Sequence, residues 1–411
     1  MSTEIKLPTK LASLRGPALG AFVGGTVLTL IVSVFSGFQL FFQAFLFAWI
    51  LVSGLSMGSL ALLFIHHMTA GQWSFPVQRV FEASARTMKW LAIPFGLYWL
   101  GVLIGFNENY DVWILNEEGS AVVASKSWWL NKTGWLVRSA IYILLSIGLA
   151  SIFSKWSRDL ETTGDALITL KFRRFAPPAM LIYVGIITFA PLDWVMSLEP
   201  EWFSTMYGPL FAISQGLTLF AVCILLLDRM ATEKPMSTVV SSENYHMLAT
   251  FMCAFVVLWT YMSFSQFLII WSGNLPEEIH YYLNRSTGFN QVLIITLMVG
   301  HFFIPFMVLL QRKAKYNLNV IRKVCYAMLC MRLVDLFYII NPAFHHLENW
   351  GDPAPVPYVD IIAYVSMAIG LTGFWLYFFL GELKKMPLMP KNDPRLYKAI
   401  SYIDEEVFEN V

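Results

Sequence analysis

Long apolar runs alternate with short polar connections along the whole chain. A run of about 20 apolar residues is long enough to cross a bilayer as a helix. The predicted spans are 18–37, 43–66, 88–106, 134–154, 176–197, 204–227, 247–271, 289–310, 321–340 and 358–380. The pattern therefore predicts an all-α integral membrane protein with ten transmembrane helices.

Basic residues are concentrated in every second connection between the predicted spans. The intervening connections hold only three of them: Lys126, Lys132 and Arg285. Because Lys and Arg mark cytoplasmic loops, both termini are expected in the cytoplasm, which requires an even number of spans. The predicted parts are a cytoplasmic tail at 1–17, a transmembrane domain at 18–380 and a second cytoplasmic tail at 381–411.

Composition supports a membrane protein and excludes several other classes. The chain is 57% hydrophobic and 13% charged, whereas soluble domains average about 25% charged residues. Its net charge of +1 gives no sign of a nucleic-acid partner. The four cysteines form no CxxC motif, so no metal site, Fe–S cluster or covalent haem is expected. His301 is the one histidine deep in a span, which disfavours a haem held by two histidines.

Two aspartates occupy matching places late in apolar segments. Asp193 and Asp335 are each followed by a proline seven positions later, Pro200 and Pro342. This match predicts an internal repeat with halves at about 43–197 and 204–340, folded as two four-helix bundles from spans 2–5 and 6–9, with spans 1 and 10 flanking them. Such repeats are common among membrane transport folds. Chance similarity between two apolar sequences is the alternative.

Charged side chains inside spans are costly and usually mark an ion, proton or substrate path. We predict no catalytic residue, and a proton path through Asp193, Arg138, Asp335, Arg332, His301, His246 and His66. Arg332 and Asp335 share one helix face, either as a plain ion pair or as a carboxylate tuned for proton exchange. Asp193 has no arginine within a helical turn, and Arg138 of the preceding span is its candidate partner. This freedom from a charge on its own helix favours Asp193 as the working proton site.

The histidines of the predicted path differ in their surroundings. His301 lies in mid-span, and Pro305 four residues later can kink the helix there. It is predicted either to relay protons or to be a neutral side chain bonded between helices. His66 and His246 lie at cytoplasmic span ends, where water is expected to reach them.

Two further features concern the membrane interfaces. The stretch GQWSFPVQRVFEASARTMKW (71–90) spaces apolar and charged residues as in an amphipathic helix on the cytoplasmic surface. Five tryptophans near the outer ends of spans are expected to anchor the interface: Trp128, Trp129, Trp202, Trp271 and Trp350.

Three segments resemble a known family. FIHHMTAGQWSFPVQRVFEASARTMKW (64–90) resembles the region between the second and third spans of the NrfD/PsrC-like quinol-interacting membrane subunits. FAPLDWVMSLEPEWFSTMYGPLF (189–211) is similar to the equivalent segment in alternative complex III members. The third segment is DLFYIINPAFH (335–345). Together with the ten spans and the chain length, these segments make the chain resemble the shorter of that complex's two large NrfD-like subunits.

The resemblance implies a place in a bacterial respiratory or photosynthetic chain. Alternative complex III is a quinol oxidoreductase of the inner membrane that passes electrons to cytochrome c or another acceptor. The implied partners are the longer NrfD-like subunit ActC, outer-face subunits with Fe–S clusters and c-type haems, and membrane lipids. The chain itself would hold no redox cofactor and would contribute proton translocation, contact with quinol or menaquinol, or both. A structural scaffold and a stand-alone secondary transporter are the alternatives.

Overall fold

The computed structural model describes residues 7–116, 119–234, 236–345 and 354–396. Within these ranges the secondary structure is helical and no strand occurs. Ten helices are long and apolar enough to cross a membrane. The predicted all-α fold of an integral membrane protein with ten spans is therefore confirmed.

The spanning helices follow the predicted order and mostly extend beyond the predicted apolar cores. They are α1 (Arg15–Ser36), α2 (Gln39–Thr69), α3 (Met88–Ile104), α4 (Lys132–Thr163), α5 (Leu167–Trp194), α6 (Tyr207–Met230), α7 (Ser242–Gly273), α8 (Gly288–Leu310), α9 (Leu318–Ile340) and α10 (Tyr358–Leu383). Both described chain ends lie on the face that carries most Lys and Arg, which we call the basic face. The opposite face is called the outer face.

Eight of these helices form two bundles that meet along a central pair. Helices α2 to α5 pack on one another, and α6 to α9 form the second group. The groups join where α2 packs against α6, and 83% of the apolar window of each of these two helices is buried. Because α2 and α6 face protein on all sides, both are apolar around their whole circumference, as expected for buried helices.

Helices α1 and α10 pack together beside the first bundle. Gly25 lies so close to α10 that a Cβ atom there would stand 2.4 Å from the Ser366 carbonyl oxygen. The Thr29 hydroxyl donates to the Ala363 carbonyl at 3.3 Å. Small residues thus allow the two backbones to approach closely, a common way to join helices in membranes.

The segment predicted to be amphipathic on the membrane surface is instead buried within the protein. Every residue from Trp73 to Met88 is buried, and the short helix Gln78–Arg86 packs against α2, α4 and α10. Its charges face other protein charges: Arg79 Nη2 lies 2.7 Å from Glu161, and Arg86 Nε lies 3.1 Å from Glu382. The predicted location on the membrane surface was wrong. Charged residues that form ion pairs inside the protein show the same helical spacing in the sequence as charged residues that face water.

The outer tryptophans divide into two groups. Trp128 and Trp271 are exposed, at 77% and 44%, as an interface anchor requires. Trp202 is buried and stacks on Tyr281 with ring centroids 3.8 Å apart, so its predicted anchoring role was wrong. Trp129 donates to a buried carboxylate, described below, and Trp350 lies outside the described residues.

Candidate functional site

The Asp193 carboxylate receives four hydrogen bonds from the first bundle. Asp193 is fully buried near the outer end of α5. From α4, Arg138 donates through Nε to Oδ2 and through Nη2 to Oδ1, both at 2.8 Å. Trp129 Nε1 donates to Oδ1 at 3.0 Å, and the Tyr142 hydroxyl donates to Oδ2 at 2.7 Å. The predicted contact between Arg138 and Asp193 is thus present, as a two-pronged ion pair.

The surroundings of this pair fix both partners. The Arg138 guanidinium lies 4.1 Å from the centre of the Trp129 ring and donates to the Trp129 carbonyl at 2.9 Å. The backbone carbonyl of Asp193 accepts from Trp135 Nε1 at 2.7 Å and from the Ser197 hydroxyl at 2.6 Å. Helices α4 and α5 are therefore joined by the side chain and by the backbone of the same residue.

These contacts remove the reason for ranking Asp193 above Asp335. That ranking rested on the lack of a neutralising charge on α5, yet α4 supplies one in the best geometry for a carboxylate. Protonation of Asp193 would break a buried ion pair and leave its neighbours with fewer partners. The arrangement is better suited to holding two helices together than to cycling a proton.

In the second bundle, Arg332 and Asp335 form a buried ion pair within α9. Nη1 of Arg332 donates to Oδ2 of Asp335, and the residues are 4% and 3% exposed. The guanidinium carbon also lies 5.7 Å from the Phe211 ring of α6. The predicted pairing on one helix face is present, with fewer donors than at Asp193.

His301 lies in the interior of this bundle, on a widened turn of α8. Residues Leu297–Phe303 form a π-helical turn directly before Pro305, and such turns are frequent at functional sites. His301 is 1% exposed and stacks on Trp259 of α7, with ring centroids 4.0 Å apart. Neither of its ring nitrogens has a hydrogen-bond partner among the described residues.

The same interior brings His301 and the ion pair of α9 together through Trp259. Trp259 packs with Val334 and Tyr338 of α9, which lie one residue before and three residues after Asp335. The π-helical turn also packs on α9, since a Cβ atom at Gly300 would lie 2.6 Å from Met331 Sδ. We call His301, Trp259, Arg332 and Asp335 the His301 cluster.

A second buried pair, which we did not predict, closes the outer end of this bundle. Arg285 is fully buried and faces Glu199, with Nη1 at 2.9 Å from Oε1 and Nη2 at 2.5 Å from Oε2. It also donates to the carbonyls of Tyr338 and Ile339 at the end of α9, at 3.3 and 3.1 Å. Burial alone would lower the pKa of Arg285, but the interactions with its partners, chiefly the Glu199 carboxylate, outweigh burial, so the pKa is raised overall. One indication in the sequence pointed to a special role of Arg285: it is one of only three basic residues in the predicted outer connections.

The remaining histidines of the predicted path lie at the basic face, apart from these clusters. His66 is fully buried, and its Nδ1 lies 2.6 Å from the Ser74 hydroxyl. The expectation that water reaches it was wrong because the buried segment 73–88 covers it. His246 is partly exposed and lies 3.2 Å from Glu243. Among the described residues, hydrogen bonds do not connect these histidines with Asp193 or with the His301 cluster.

A smaller outer cluster predicts a local dependence on pH. The Asn341 amide donates to Oδ2 of Asp360 at 2.8 Å, and Nε2 of His345 bonds the same oxygen. This hydrogen bond to Asp360 raises the pKa of His345, against the opposing effect of partial burial. A group with a raised pKa in the folded state stabilises it below its unfolded pKa of about 6.5. The stabilisation is lost as pH rises through the higher folded value.

We therefore expect residues 341–345 to open more readily as pH rises from about 6 to 8. Hydrogen exchange, read by mass spectrometry at each pH, measures this relative to the His345→Gln variant, in which the dependence should vanish. Equal pH profiles for the two proteins would contradict the assignment.

The comparisons with known proteins add no family assignment. Neither models of protein families nor curated protein sequences match this chain. Among the described residues, no group of three or more His, Cys, Asp or Glu side chains is arranged to hold a metal ion. The fold and the buried charges therefore define the class: a multi-pass membrane protein of ten helices with ion pairs in both bundles.

Proposed function

We propose that the chain is an ActF-type NrfD-like subunit of an alternative complex III in a bacterial inner membrane, and that its second bundle carries protons. The resemblance of segments 64–90, 189–211 and 335–345 supports the family, and two adjoining four-helix bundles are compatible with it. Electron transfer is assigned to the partners: ActC and the outer-face subunits with Fe–S clusters and c-type haems. The quinol or menaquinol would be reached from the outer face.

One observation carries the proton path: His301 is buried, next to an ion pair, with both ring nitrogens unpartnered among the described residues. A neutral imidazole has one donor and one acceptor nitrogen, so it can take a proton on one side and release one on the other. The Asp335 carboxylate is the acceptor on the outer side of this bundle. Trp259 would hold the imidazole plane in place by stacking.

Two variants test this path: His301→Phe, which keeps an aromatic ring against Trp259 but removes its nitrogens, and Asp335→Asn. We expect the rate of proton transfer coupled to quinol oxidation to fall about a hundredfold or more. A hundredfold is the lower end of the rate enhancement that a positioned proton-transferring side chain usually provides. The assembled complex is reconstituted in vesicles, and quinol oxidation and proton movement are followed together.

A structural scaffold is the second candidate, favoured by the saturated contacts of Asp193. The scaffold function is supported if both variants assemble into a complex with normal haem content and keep the wild-type ratio of protons moved to electrons transferred. That result would contradict the proton path. Transport of a solute by the purified chain without partners would instead overturn the assignment to a respiratory complex.

A further inference from the structure

A cavity of about 180 Å³ opens at the basic face, between α4 on one side and the end of the short helix Gln78–Arg86 with the start of α3 on the other. This volume is about six times the volume that one molecule occupies in liquid water. It is therefore large enough for a phosphate group with water around it. Its wall carries three cations and two hydroxyls and includes no carboxylate: Arg86, Lys89, Arg158, Ser151 and Ser154. The lining is thus suited to an anion.

The cations of the wall are held in place and keep unused hydrogen-bonding capacity. Arg86 is 7% exposed, and its Nε and Nη2 bond the Glu382 side chain and carbonyl at 3.1 and 3.0 Å. The remaining Nη1 has one long hydrogen bond, of 3.4 Å to the Ser154 hydroxyl on the wall, and lies 3.9 Å from the Glu82 carboxylate. Lys89 is anchored by Glu382 at 2.9 Å. Among the described residues, no carboxylate forms an ion pair with Arg158.

The position of the cavity indicates a lipid as the source of the anion. The lining residues on α4 extend from Ile147, in the apolar part of the helix, to Arg158 at its charged end. This is a distance of about 16 Å along the helix axis. Below the mouth, Leu97 of α3 and Leu144 of α4 are 69% and 65% exposed. Acyl chains can therefore lie against the same two helices whose ends hold the phosphate.

We propose that this cavity binds the phosphate group of an anionic phospholipid, with Arg86, Lys89 and Arg158 around it and the acyl chains along α3 and α4. Basic pockets between membrane helices on the cytoplasmic side are suited to such head groups. The bound phosphate would join the basic end of α4 to the short helix Gln78–Arg86 and the start of α3. The proposal does not depend on the proposed function, because it rests on this cavity alone.

The test uses the full-length chain, purified and stripped of lipid in a non-ionic detergent. Phosphatidylglycerol, phosphatidylcholine and inorganic phosphate are added separately, and the unfolding temperature and retained lipid are measured. We expect phosphatidylglycerol to raise the unfolding temperature and to be retained. In the variant Lys89→Gln with Arg158→Gln, its half-effective concentration should rise about thirtyfold, or about 2 kcal/mol at roughly 1 kcal/mol per cation.

The matched control removes the same charge elsewhere on the basic face. Lys155 and Lys171 are exposed and do not line the cavity, so the variant Lys155→Gln with Lys171→Gln should keep the wild-type response. Equal effects of the two phospholipids, or equal losses in the two double variants, would overturn the site. If inorganic phosphate acts as well as phosphatidylglycerol, the lipid assignment is wrong.

Discussion

Replacing Arg138 by methionine is expected to lower the free energy of unfolding by about 3 kcal/mol, the lower part of the range for breaking a buried pair. The substitution leaves the Asp193 carboxylate fully buried without its counter-charge, although Trp129 and Tyr142 still donate to it. Arg138 is 18% exposed, which is why the lower part of the range applies. Denaturant unfolding in detergent micelles, followed by tryptophan fluorescence, measures the loss.

A second substitution separates the cost of a lone charge from the value of the pair. The double variant Arg138→Met with Asp193→Leu removes both charges and keeps apolar volume, so it should recover most of the lost stability. A loss of less than about 1 kcal/mol in the single variant would be typical of a solvent-exposed pair. That value would contradict a structural role for Asp193.

The second large effect is expected at Arg285, whose replacement by methionine should cost about 3–5 kcal/mol. The variant would leave the Glu199 carboxylate and the carbonyls of Tyr338 and Ile339 without their donor. Arg285→Lys should recover little, because one ammonium group cannot reproduce the two-pronged contact. The unfolding midpoint in detergent gives the loss, and hydrogen exchange at residues 275–288 reports the opening of the outer connection.

Lys126 provides the matched control for Arg285. It is also a basic residue of an outer connection, and its Nζ donates to the Pro200 carbonyl at 2.6 Å. It is only partly buried, so Lys126→Met should cost less than about 1 kcal/mol. If Arg285→Met and Lys126→Met lower the free energy of unfolding by similar amounts, the buried pair of Arg285 with Glu199 does not stabilise the fold more than an ordinary surface contact.

The spans could be predicted because the bilayer imposes one requirement on each of them. A helix that crosses it must be apolar over about 20 residues, and the sequence shows this directly. The helix ends could not be predicted as well. Helix α4 continues to Thr163, nine residues beyond the predicted end at 154, because a polar helix can continue into water without a change in its backbone.

The candidate site was predictable where its partners share a helix or adjoining helices. Arg332 and Asp335 are three residues apart, so their contact follows from helix geometry. Arg285 and Glu199 are 86 residues apart, in two different connections, and only the tertiary fold brings them together. The π-helical turn at His301 was also beyond the sequence, since Pro305 indicates a disturbed helix but not which way it is disturbed.

The close packing of α1 on α10 has a consequence for the way the chain is made. Gly25 and its neighbour Gly370 are 345 residues apart in sequence. At a synthesis rate of about 5–20 residues per second, α1 leaves the ribosome roughly 17–70 seconds before its partner exists. During that time its glycine surface has no permanent neighbour. Completion of the fold therefore waits for the last span, and shortened chains without α10 should be open to quality-control proteases at their first helix.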